Sequence, residues 1–165
     1  MPATYEPIAT TTLATTSTSV TLSSIPSTYT DLRVVVYLKS SGTSDYGLRG
    51  YINGDTGSNY SETNLQGYGS AVSSQLTSQS QASYTFTYGF SNEGALFTFD
   101  FFSYAGSTYK TFLVTGSNDQ NGSGSVDRSV QLWRSTSAIN SINFFPASND
   151  FAAGSTFTLY GIKNA

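Results

Sequence analysis

Residues 31–40 read DLRVVVYLKS, and the alternation in that stretch decides the fold class. Leu32, Val34, Val36 and Leu38 fall on one face, with Arg33, Tyr37 and Lys39 on the other. A strand with one buried side repeats every second residue, whereas a helix needs apolar residues three and four apart. The same period recurs along the chain. In YTFTYGF, Tyr84, Phe86, Tyr88 and Phe90 share a face against Thr85 and Thr87. In LFTFDFF, Phe97, Phe99 and Phe101 oppose Thr98 and Asp100, and near the end Phe157 and Leu159 oppose Thr156, Thr158 and Tyr160. Further strands are expected at 5–10, 18–23, 46–53, 72–79, 110–116, 126–134 and 139–145. No window carries helical spacing.

Turn clusters separate these runs: SSG at 40–42, NGDTG at 53–57, YAGST at 104–108, NDQNGSG at 118–124 and SND at 148–150. Many short strands divided by Gly, Asn, Asp and Ser predict an all-β chain, here a jelly-roll-like antiparallel β-sandwich. Residues 21–165 are expected to form a single domain, with 1–20 as an N-terminal arm or edge strand. The stretch ATTTLATTSTS at 9–19 is uncharged and β-branched. It reads either as an edge strand plus loop or as an arm that orders on pairing with a neighbouring subunit. Residues 57–70, GSNYSETNLQGYGS, lack apolar alternation and are expected as a long loop or one helical turn.

Composition narrows the chemistry. The 165 residues contain neither His nor Cys, and only 10% are charged. The commonest general base, the commonest metal ligand and the most reactive nucleophile are therefore missing. Aromatic residues make up 15%, eleven Phe and twelve Tyr among them, enough to build a core from rings. The net charge is −3, and the seven Lys and Arg are scattered singly, so no basic patch suggests a nucleic-acid partner. No apolar run is long enough to span a membrane, and no basic amphipathic helix is visible. The N-terminus, MPATYEPIATTTLATT, has neither the positive nor the apolar region of a secretory signal.

Individual residues point the same way. Serine and threonine are abundant, but a hydroxyl nucleophile needs a base. A Ser–Lys pair would require Lys39, Lys110 or Lys163 to be buried, and all three sit in or beside turns or strand ends. Paired carboxylates suffice for glycoside hydrolysis, yet most of the ten acids lie in turn sequences. Asp100, mid-strand among phenylalanines, is the exception, and is expected on the solvent face or paired with a cross-strand Arg. Asn53, Asp55, Asn59 and Glu62 offer oxygens loosely like a calcium loop, but the spacing is wrong for an EF-hand. Asn53-Gly54 is itself a type I′ hairpin signal. Trp133 alternates with Val130 and Leu132, so its indole either lies on the outer face or is covered by a loop of its own domain. The residues expected to contact a partner are Tyr5, Ile8, Tyr46, Tyr51, Tyr60, Tyr68 and Trp133. No catalytic residue, metal or cofactor is expected.

Four segments resemble small structural proteins of tailed bacteriophages, cyanophages in particular. They are SSIPSTYTDLRVVV at 23–36, YINGDTGSNYS at 51–61, LWRSTSAINSINFFPA at 132–147 and FAAGSTFTLYGIKNA at 151–165. The likeness follows order and spacing over most of the chain and is weakest at 70–125. It transfers no catalytic residue. It implies a jelly-roll protein of the virion, made in the host cytoplasm. Such proteins are either capsid decoration (cement) proteins or tail-fibre, receptor-binding or carbohydrate-binding modules. With no shaft and no coiled-coil or collagen-like segment, the chain fits decoration better. On that resemblance it bridges neighbouring subunits of the major capsid protein and forms a homo-oligomer, a trimer being the first expectation. No nucleic acid or membrane is implied.

Overall fold

The computed structural model describes the chain apart from residues 1–3, 43–46, 70, 82–83, 86–93, 120, 122–123 and 164–165. At 75–81 and 84–85 it describes the backbone alone. The strands are β1 (Tyr5–Thr12), β2 (Val20–Leu22), β3 (Asp31–Leu38), β4 (Leu48–Ile52), β5 (Tyr60–Tyr68) and β6 (Ala71–Gln81). They continue with β7 (Tyr84–Thr85), β8 (Ala95–Phe101), β9 (Lys110–Asn118), β10 (Ser125–Trp133), β11 (Ile142–Pro146) and β12 (Thr156–Ile162). One sheet has the order β1-β12-β3-β8-β9-β10-β5-β6, the other β2-β11-β4-β7. All the pairings are antiparallel. The fold is all-β, a jelly-roll-like antiparallel β-sandwich, as the alternation predicts.

Why these residues make these layers is clearest at β3. Leu32, Val34, Val36 and Leu38 are fully buried between the sheets, and Tyr37 faces outward. Phe97, Phe99 and Phe101 of β8 lie beside them by register. Across the sandwich, Phe99 meets Phe144 of β11 edge-on, 5.2 Å between ring centres. Phe144 tilts against Phe157 at 5.5 Å, and Phe157 meets Phe151 at 5.3 Å. Rings thus join the two sheets, each contributing more buried area than an aliphatic side chain would.

The N-terminal stretch takes the edge-strand form. β1 pairs with β12 from Tyr5↔Ile162 to Thr12↔Thr156, with a register shift between Pro7 and Ala9. Beyond it, Leu13 N–H donates to Ser155 O, and Ser17 bridges Phe151. The strand expected at 18–23 is shorter, Val20–Leu22, and the one expected at 139–145 is shorter and shifted toward the C-terminus, Ile142–Pro146. Of the YTFTYGF run, the backbone of Tyr84–Thr85 forms β7, and Phe86, Tyr88 and Phe90 lie outside the described residues.

One expectation is overturned. Residues 57–70 are not a loop or a helical turn, because β5 occupies Tyr60–Tyr68 between β10 and β6. Its alternation is real but polar. Tyr60, Glu62, Asn64 and Gln66 are buried, while Leu65 is exposed. β10 repeats the pattern, with Ser125, Asp127, Ser129, Gln131 and Trp133 buried and Val126 and Val130 exposed. Register places these polar residues on the same face as the phenylalanines of β8: Phe97 aligns with Gly116, Gly116 with Asp127, and Asp127 with Gln66. The inner face of the large sheet therefore passes from apolar to polar between β8 and β5.

Candidate functional site

The segment NGDTGSNY builds a corner between the two sheets. Asn53 (φ 53°) and Gly54 (φ 69°) both adopt the left-handed conformation of a type I′ turn, closed by Asp55 N–H donating to Ile52 O at 2.9 Å. A hairpin does not follow, because β4 belongs to the small sheet and β5 to the large one. The turn instead sends the chain across the sandwich. Asn53 Oδ1 accepts from the amides of Asn140 (2.8 Å) and Ser141 (3.1 Å), and its Nδ2 donates to Ala138 O at 2.8 Å.

Asp55 is the hub of this corner. Its Oδ2 accepts from Trp133 Nε1 at 2.7 Å and from Asn59 Nδ2 at 2.9 Å, and its Oδ1 accepts from Gly57 N–H at 2.9 Å. Tyr60 Oη donates to Asp55 O and accepts from Ile52 N–H, both at 3.0 Å. Arg134 Nη2 donates to Ser58 O at 2.8 Å. Burial pushes the Asp55 carboxyl up, but the hydrogen bonds from Trp133, Asn59 and Gly57 outweigh it and hold the group below its ordinary value. Burial pushes the Tyr60 hydroxyl well above the usual tyrosine range.

This geometry corrects the outward placement of two residues. Trp133 is 2% exposed and Tyr60 fully buried, so neither presents a ring to a partner from the surface. The indole is covered by the 53–59 loop of its own domain, whose Asp55 takes its N–H. The calcium-loop oxygens are likewise committed within the chain. Asn59 turns a donor toward Asp55, and Glu62 lies away in β5 beside Asn64, whose Nδ2 donates to it at 3.3 Å. Among the described residues no group of three or more acids that could hold a metal is present.

The other expected contacts do not converge. Tyr5 and Tyr68 are 45% and 40% exposed, but they sit on β1 and β5, near opposite ends of the large sheet's strand order. Tyr5 lies over Arg33, 5.7 Å from the guanidinium carbon to the ring centre. Tyr51 is half-buried and stacked on Phe145 at 4.7 Å. Ile8 packs against the core. Tyr46 lies outside the described residues.

Asp100 pairs across strands with Arg33, Nε to Oδ1 at 2.5 Å and Nη2 to Oδ2 at 3.0 Å, which is the structural role expected for it. Lys110 lies at the start of β9 beside a turn, as expected, but it is buried, and burial pushes its pKa down. Its ammonium donates to the carbonyls of Gly106 and Thr108, so it closes the 103–109 turn.

The polar inner strip was not anticipated. Glu62 and Asp127 are 4% and 1% exposed, and burial raises both carboxyls, Asp127 to about 6. Ser125 Oγ donates to Asp127 Oδ2 at 3.3 Å, while Asp127 Oδ1 and Gln66 Nε2 are buried without a hydrogen-bond partner. The sequence signal for this strip was the S-E-T-N-L-Q run at 61–66, a period-two pattern in polar rather than apolar letters. No protein-family model and no curated protein matches the chain.

Proposed function

We propose that this chain is a structural protein of a tailed-phage particle, one that decorates the capsid and bridges neighbouring major capsid protein subunits. The observation that carries the reading is where the phage-like segments fall. YINGDTGSNYS and LWRSTSAINSINFFPA are the two halves of one hydrogen-bonded corner, joined through Asp55–Trp133 and Asn53–Asn140. SSIPSTYTDLRVVV and FAAGSTFTLYGIKNA supply most of β3 and all of β12, paired from Asp31↔Ile162 to Val36↔Phe157. The segments that carry the resemblance are thus framework residues in contact with one another, and the reading rests on that resemblance.

A sandwich whose cross-sheet contacts are ring on ring changes shape little under load, because close-packed interiors resist compression. Protein bound at a free concentration 100 times its dissociation constant stabilises the assembled state by ~2.7 kcal/mol per site. Repeated over a shell, modest contacts resist internal pressure. The test is co-sedimentation of the purified protein with assembled shells of its major capsid protein. Saturable binding that raises the temperature of shell disruption is expected. Failure to bind intact shells, together with specific binding to a host surface glycan, would replace decoration with a receptor-binding role.

A further inference from the structure

The turn joining β9 to β10 has the sequence DQNGSG at 119–124, with oxygen-bearing side chains at 119, 121 and 123 and a glycine in sixth place. Counted from Asp119, Ser125 is seventh and Asp127 ninth. Calcium loops draw their ligands from the first, third, fifth, seventh and ninth positions and make a sharp turn at a sixth-position glycine. Two features differ from the helical form of such loops. Strands flank the run, and the twelfth position is Val130 where a glutamate is usual.

The described residues fit the pattern. A Cβ on Gly124 would lie 2.0 Å from Asn118 O and 2.7 Å from the Asp119 Cα, so the turn closes only on glycine. Asn118, Asp119, Gly124 and Ser125 line an open cavity of about 490 Å³. Asn121 is exposed and adopts the left-handed conformation (φ 52°). Ser125 Oγ lies 3.0 Å from Asn118 Oδ1 and 3.3 Å from Asp127 Oδ2, two acceptors for one hydroxyl proton. Asp127 Oδ1 has no partner although the residue is only 1% exposed, and Gln66, its neighbour by register, does not bond it. Neither ion pair among the described residues involves Asp127. Buried charge persists where it is paired or bound to a metal, and this end of the sheet is rich in acceptors and poor in donors.

We propose that the β9–β10 turn binds one calcium ion, with Asp119, Asn121 and Ser125 as ligands and Asp127 held to it through a water, as ninth-position residues often are. Ca²⁺ takes about six to eight oxygens in flexible geometry, carboxylate, amide, carbonyl and water among them, so two acids suffice without a larger acidic cluster. Lacking the twelfth-position glutamate, the site belongs to the weak class of calcium modules, with a dissociation constant of ~0.1–1 mM. The inference does not rest on the capsid reading.

Isothermal titration calorimetry of the full chain, stripped of metal by a chelator and titrated with CaCl2 at about pH 7.5, tests it. One ion per chain is expected, together with a melting temperature that climbs as CaCl2 is added. Asp119→Asn and Asp127→Asn should each weaken binding at least tenfold with unchanged far-UV circular dichroism. Asp150→Asn, in the separate turn at 148–150, should bind calcium as the wild type does. No binding up to about 10 mM CaCl2 overturns the proposal. So does binding that survives both Asp119→Asn and Asp127→Asn, or that is lost equally in Asp150→Asn. None of these results bears on shell binding, which has its own experiment.

Discussion

A carboxylate that accepts from an indole N–H, a side-chain amide and a backbone amide is difficult to replace, because losing it strands a buried donor. Asp55→Asn keeps the shape of the Asp55 side chain but only one of its two acceptors, so in either orientation its NH2 faces a donor, Trp133 Nε1 or Gly57 N–H. We expect it to lower stability by about 1–3 kcal/mol at neutral pH, read as a lower urea midpoint at unchanged slope. An unchanged midpoint would show that the corner does not depend on this residue. Asp127 behaves oppositely. Burial pushes its folded-state pKa up from the ordinary aspartate value to about 6, so its stabilising share is complete at low pH and is lost as pH rises through about 6. Glu62 shifts in the same direction, whereas Asp55 and Glu6 are held low and lose their contribution only in more acidic solution. The protein should therefore be about 1 kcal/mol more stable at about pH 5 than at about pH 7.5. Asp127→Asn should flatten that difference and raise the melting temperature at the higher pH. A melting temperature that climbs from pH 5 to 7.5 would contradict this placement of Asp127.

At the scale of strands, what the sequence disclosed and what it hid have one physical cause. β3, β8 and β12 were legible because their buried side is apolar and their solvent side polar, so alternation names both strand and face. β5 has the same period with the letters exchanged. Glu62, Asn64 and Gln66 point inward and Leu65 outward, so a search for apolar alternation passes over it. Trp133 was obscured by the same inversion. Counting from Val130 and Leu132 as an inner face places the indole outside, whereas in β10 those aliphatic residues face outward. Asn53-Gly54 disclosed its turn but not its role, since the partners that make it a corner lie some 80 residues further on, at Trp133 and Asn140. Cross-sheet packing yields a prediction at this scale. Phe144 touches Phe99 of the facing sheet and Phe157 of β12. Phe144→Ala should cost about 3–5 kcal/mol in chemical denaturation. A cost below about 1 kcal/mol would mean that the sheets are not held together there.

For the whole molecule, the rings of Phe99, Phe144, Phe151 and Phe157 tie the two sheets into one sandwich. The outer face of the large sheet over β12, β3 and β8 carries Thr158, Thr98 and the Arg33–Asp100 pair. Direct imaging is the decisive test of the capsid reading. Electron cryomicroscopy of mature particles, with the chain fitted into the map, should place it on the outer capsid surface across junctions between major capsid protein subunits. Density for the chain confined to the tail tip, or its absence from mature particles, would contradict the account.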